Sequence, residues 1–248
     1  MTGAAGRGFL KAPTGDDVRT YLPRFYVEGF LDPDEGTAGS PASAWVHRPA
    51  IGTFQRVPVE PGGPDRHFNE VDDPALRRNE ALEPLLAAVL EDAARLLRRE
   101  LPARRPLGSS ERELLASFLA LLGMRLSARF GDLDEAEARR GYEELLSILR
   151  DMGWVFWQAE PPDYFVSSSA PFHVAFPRDD GLVQGMGLHA PGVEITLPLT
   201  PRLALHATWK RRGELWRRAP EGVLLELNAR TIVRARRFVL APKPAIPG

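Results

Sequence analysis

The sequence contains no cysteine. Disulfides, thiolate metal ligands and thiol nucleophiles are excluded at once, and a reducing compartment suits the chain. Lysine is almost as scarce. Only Lys11, Lys210 and Lys243 are lysine among 32 basic residues, and the rest are arginine. Arginine's planar fork matches carboxylate and phosphate, although the accompanying alanine, proline and glycine point first to codon usage in a GC-rich genome. Long apolar segments are also missing: the longest run, Leu114 to Met124, is eleven residues, too short to span a bilayer. The N-terminal MTGAAGRGFLKAPTGDD has no apolar core of signal-peptide length. A soluble, cytoplasmic protein with no membrane partner is the expectation. The formal net charge is −1, so no global field draws the chain to nucleic acid.

Catalytic signatures are lacking as well. GxGxxG after a strand, the Walker A loop, HExxH and GxSxG do not occur. His47, His67, His173, His189 and His206 stand singly. His67 with Asp65, Glu70 or Asp72 could assemble a metal site, but PDRHFNEVDD reads more simply as a solvated loop. No cofactor and no resident metal are therefore expected. The pairs Glu91-Asp92 and Glu143-Glu144 fall on helices, where neighbours point about 100° apart and cannot converge. Asp179-Asp180 is a third such pair. Ser167 to Ser169 precede His173 by a spacing unlike a hydrolase elbow, so hydroxyls satisfying backbone groups at a strand end are the plainer reading.

What is present is a clear alternation of textures. Residues 1–19, rich in Gly, Ala and Pro, read as a loose arm, and DPDEGTAGSPAS reads as a loop. SAWVHRPA and TFQRVPVE read as a hairpin. Leucines at helical spacing predict helices over about 79–101, 110–130 and 134–152. The first presents Leu82, Leu86, Val89, Leu90, Ala93, Leu96 and Leu97 on one face, with Pro84 in its first turn. Ser109 or Ser110 is the expected N-cap of the second, which is apolar almost all round and therefore central. Arg125 near its end is expected to be partly buried. Gly153 is the expected stop of the third. WVFWQAE, YFVSSSA, VEITLPLT and LALHATWK read as strands, then a helix over about 220–236 and a last strand, FVLA. The fold class is α+β: helices on a mostly antiparallel sheet. One domain spans 20–241, followed by a Pro-rich tail, 242–248.

Several segments, in order, resemble one family. TYLPRFYVEGF resembles an HYVPxFYLRxF opening motif, and WVHRP and HFNEVD resemble the segments that follow it. ALEPLLAAVLEDAA is similar to a helix with two glutamates, here Glu83 and Glu91. LLASFLALLGMR is similar to a buried helix ending in arginine, here Arg125. YFVSSSAPF resembles a phenylalanine–TSD–x–P motif and ITLPLTP a PLSP strand. LLELNARTIVRARRFVLA is similar to a closing helix with its Asn228. The set resembles the prokaryotic domain of unknown function 4238 family over about residues 20–241. The resemblance implies no assigned activity. It does mark two departures: Thr20 stands where the family motif has histidine, and Ser169 where it has aspartate, the two positions best suited to proton transfer.

The expected pocket therefore gathers Thr20, Arg24, Glu91, Arg125, Ser168, Ser169 and Asn228 between the opening motif and the serine turn. Arg125 with Glu91 is also a candidate buried ion pair that fixes helix packing. The leading expectation is a ligand- or partner-binding, catalytically degenerate member. Two alternatives stand beside it. One is a hydrolase or nuclease-like enzyme acting on phosphate through Arg24, Arg125 and a carboxylate. The other is a subunit of a larger complex, carried by the Trp209/Trp216 segment and the tail. Those tryptophans interleave with arginine runs, the one stretch resembling a nucleic-acid stacking surface.

Overall fold

The computed structural model describes residues 22–31, 43–48, 52–59, 82–126, 134–176, 187–235 and 237–247. The predicted arm, the loop up to residue 42, Thr20, the candidate metal ligands around His67 and the Asp179-Asp180 pair lie outside them.

Pro23 fixes the start of α1, Arg24–Glu28, a helix of barely more than one turn. The first long helix, α2 (Glu83–Arg95), has its proline in the first turn and widens into a π-helical turn, Leu96–Glu100. A 3₁₀ turn, Leu101–Ala103, then ends at Arg104 in the left-handed conformation. The central helix is α3, Ser109–Leu126, buried on nearly every side. Neither serine caps it. Gly108 precedes the helix, and its N–H goes to the Glu111 carboxylate instead. Helix α4, Glu135–Asp151, starts at an Asp134 capping box shared with Glu137.

Helix α4 ends at its cap Met152, directly before the expected stop Gly153, which also opens β3, Gly153–Gln158; a Cβ there would lie 2.5 Å from the Arg211 carbonyl oxygen. The remaining elements are β1 (Ser43–His47), β2 (Phe54–Pro58), β4 (Ser167–Ser168), β5 (His173–Ala175), β6 (Glu194–Thr200), β7 (Leu203–Thr208), β8 (Glu214–Arg218), α5 (Glu221–Val233) and β9 (Val239–Ala241).

The chain is α+β, but its strands form two sheets rather than one. The first runs β2-β1-β9-β4 and is antiparallel throughout, so the N-terminal hairpin and the last strand share a sheet. The second runs β5-β6-β7-β3-β8 and is antiparallel except for β3 with β8. YFVSSSA yields only the two residues of β4. The backbone of its first half is taken elsewhere: Asn228 on α5 accepts from Val166 N–H and donates to the Tyr164 carbonyl, and Phe165 N–H reaches the Pro201 carbonyl.

The core joins both sheets to α3. Trp154, Phe156, Phe118, Tyr26 and Phe30 are fully buried, each worth about 1.5–3 kcal/mol of transfer free energy. Gly123 on α3 lets the Phe172 ring lie against the helix, since a Cβ would sit 2.9 Å from two ring carbons. Among the described residues no helix is long and apolar enough to cross a membrane.

Candidate functional site

The opening motif is anchored by its aromatic residues. Phe25 packs on Phe118 of α3 at 5.5 Å between ring centroids, and Tyr26 on Phe30 at 5.4 Å. The Tyr26 hydroxyl donates to the Pro198 carbonyl at 2.6 Å. Having spent its one proton there, it accepts from Ser167, 2.8 Å away. Pro198 lies beyond the stretch of β6 that pairs with β5, which leaves its carbonyl available. Burial pushes the Tyr26 hydroxyl far above its usual pKa, so it stays protonated. Opening motif and serine turn thus meet through a buried hydrogen-bond chain that ties both sheets to α1.

Among the described residues the two segments are in direct contact. Ser168 and Ser169 are buried and serve backbone groups: Ser168 Oγ accepts from Ala170 N–H, and Ser169 Oγ from Arg237 N–H. Asn228 is spent on the Tyr164–Val166 clamp. Arg24 pairs with Glu28 on its own helix at 2.7 Å. The expected Arg125–Glu91 pair does not form. Glu91 is exposed, and Arg125, only 11% exposed, faces Glu83 at 3.5 Å. The substitution is geometric: Glu83 sits two turns before Glu91 on α2, at the end that lies beside the last turn of α3. Thr20 lies outside the described residues.

The cavity beside the opening motif opens on its other flank. It encloses about 480 Å³, within the range of small-molecule sites. Phe25, Tyr26, Leu97, Leu101, Tyr164 and Leu199 supply much of its apolar wall. Its polar rim is of one sign: Arg98, Arg104, Arg202 and Lys243, with no aspartate or glutamate among the lining residues. Arg98 is steadied by Glu28, the same carboxylate that holds Arg24. Arg202 donates to the Asp163 carbonyl. Arg104 and Lys243 are paired with no acid among the described residues.

Arg104 is the one non-glycine described residue with positive φ, at 56°. The site is a helix terminus, where glycine ordinarily stands. Its neighbour Arg105 is occupied by Glu100 and Glu111, so of the two arginines only Arg104 is left for the cavity. The helix expected over about 79–101 stops short of Arg104, so leucine spacing gives this residue no role. A doubled arginine where a helix should end in glycine was the available signal. Lys243 belongs to the expected Pro-rich tail, yet Pro242 and Lys243 line the cavity, and the Tyr164 hydroxyl donates to the Ala245 carbonyl at 2.8 Å.

A second polar cluster lies between β5, β6, β7 and α5. Glu194 accepts from Lys210 and Arg230, each at 2.9 Å, and faces His206 Nε2 at 3.4 Å. His206, Lys210 and Arg230 together hold its carboxyl well below the usual carboxylate range, against the effect of burial. His173 is aligned with Thr196 and His206 across three strands. Burial, reinforced by the charges of Arg234 and Arg230, pushes its imidazole down to about 4. Three buried atoms of this cluster, His173 Nδ1, His206 Nε2 and Arg230 Nη1, have no hydrogen-bond partner among the described residues.

The tryptophans of the supposed stacking surface are committed internally. Trp216 stacks on Phe156 at 4.3 Å and donates to Glu214, while Trp209 donates to the Leu188 carbonyl. Among the described residues no group of three or more His, Asp or Glu side chains is placed to hold a metal ion. No family model, no curated protein and no solved structure matches the chain.

Proposed function

We propose that the chain is a cytoplasmic binding protein for an amphipathic anion, a molecule with an apolar body and a carboxylate or phosphate group. The body occupies the cavity beside the opening motif, and the charged group meets Arg104 and Lys243 at its rim. One observation carries this reading: an apolar cavity whose charged lining is entirely cationic, in a chain whose net charge is −1. Three rim cations, Arg104, Arg202 and Lys243, have no acid partner among the described residues, and together they raise the local concentration of anions and favour oxyanions over neutral ligands. The left-handed Arg104 supports it, because backbone strain persists where the surroundings hold a residue for some use. Membership of the domain of unknown function 4238 family belongs to the same reading and rests on the ordered motifs.

The enzyme alternative finds less support. Arg24 and Arg125 are each matched to a different carboxylate, Ser167 is bonded to Tyr26, and Ser168 and Ser169 serve backbone groups. A thermal-shift panel of matched amphiphiles tests the proposal. Medium-chain carboxylates and aryl phosphates should raise the melting temperature in a saturable way, and the corresponding alcohols and amines should not. Equal shifts for all three charge types would refute it.

A further inference from the structure

We infer a second oxyanion site, independent of the first, in the larger cavity between α3, α4 and β5, where His173 and Arg234 receive a phosphate or carboxylate group. This cavity encloses about 740 Å³, and His173 and Arg234 both line it. Its apolar wall includes Met124 and Leu126 of α3, Leu145 of α4, and Phe172. Gly123 permits the Phe172 ring to lie against α3, so the wall depends on the absence of a side chain there.

The polar end is unfinished in a specific way. Arg234 is exposed and paired with no acid among the described residues, one helical turn after Arg230. Residues four apart on a helix share a face, and both guanidinium charges act on His173. Arg230 is already held by Glu194 and Glu226, which leaves Arg234 as the charge without an acid partner among the described residues. A bound oxyanion balances Arg234 beside the His173 ring, which lines the same cavity. Glu144, on the α4 side of the same cavity, disfavours a second negative group there, so a ligand with one anionic end and an apolar body fits best.

The test is a titration of the full chain with phenyl phosphate and, separately, inorganic phosphate. It is followed through the histidine ring signals by nuclear magnetic resonance, with His173 assigned by the His173→Gln variant. Phenyl phosphate should move the His173 signals saturably and raise the apparent His173 pKa by about one unit, because the anion favours the charged imidazole. Inorganic phosphate should do the same more weakly, having no apolar body. Arg234→Gln, at an exposed side chain, should weaken phenyl phosphate about tenfold. Arg217→Gln, on the opposite edge strand β8, should leave it unchanged. His173 signals unmoved at about 10 mM phenyl phosphate, or a shift indifferent to Arg234→Gln, would overturn the site. Neither result bears on the cavity beside the opening motif.

Discussion

Tyr26 and Ser167 share a hydrogen bond of 2.8 Å across 141 residues of sequence. The bond joins α1 to one sheet, and the tyrosine's own proton, given to Pro198, joins it to the other. Tyr26→Phe keeps the ring packing on Phe30 but leaves a buried serine hydroxyl and a carbonyl unsatisfied. The expected loss is about 1–3 kcal/mol in chemical denaturation. Ser167→Ala removes only one of the two bonds and should cost less, about 1 kcal/mol. A Tyr26→Phe protein as stable as the parent would contradict the bridging role.

Arg104 separates stability from binding. At φ 56° an L side chain is strained by about 1–2 kcal/mol, a cost that glycine avoids while losing some entropy of its own. Arg104→Gly should therefore leave stability unchanged or raise it by up to about 1 kcal/mol. The same variant should bind anionic amphiphiles more weakly. Denaturation and binding curves on one preparation check both halves.

Gly153→Ala addresses the junction of α4 and β3. The new methyl would meet the Arg211 carbonyl at 2.5 Å, and backbone must move to admit it. A loss of about 1–3 kcal/mol is expected, as for overpacking elsewhere. Unchanged stability would show that the 211–213 turn yields freely.

Acid should destabilise the protein in two stages. His173 has a folded-state pKa lowered to about 4 from 6.5, so the unfolded chain binds its proton more readily. Its contribution is full above pH 6.5 and is lost as pH falls through that window towards 4. Glu194, likewise lowered by its cationic neighbours, contributes above its ordinary value and is lost only in stronger acid. The groups facing them are Arg230 and Arg234 from α5, His206 from β7, and Lys210. His173→Gln should abolish the upper stage of a stability-against-pH profile and leave the lower one. An unchanged profile would contradict the assignment.

Much of this architecture was legible in the residues. Helical leucine spacing located α2 to α4 to within a few positions, since each helix buries a continuous apolar face. The hairpin and the last strand were legible from β-branched runs between turn formers. The division into two sheets was not, because β9 inserts between β1 and β4 and strand partnership at that separation leaves no local mark. The same limit applies to the site. Arg125 was recognisable as a partly buried cation after an apolar run, but its partner Glu83 rather than Glu91 depends on how α2 and α3 lie together. Ser168, Ser169 and Asn228 stood out as polar residues among apolar ones, and that pattern marks burial whether the side chain binds a ligand or a backbone group. The cavity rim escaped notice because Arg98, Arg104, Arg202 and Lys243 come from four separate segments.

The most direct test of the central claim is calorimetric titration of the chain with a matched pair, a medium-chain carboxylate and its primary amide. The account predicts that the carboxylate binds at least about tenfold more tightly, that rising salt narrows the gap, and that the Arg104→Gly, Lys243→Ala double variant removes it. Equal affinity for acid and amide, or a preference that survives the double variant, would contradict an anion-binding role for this cavity.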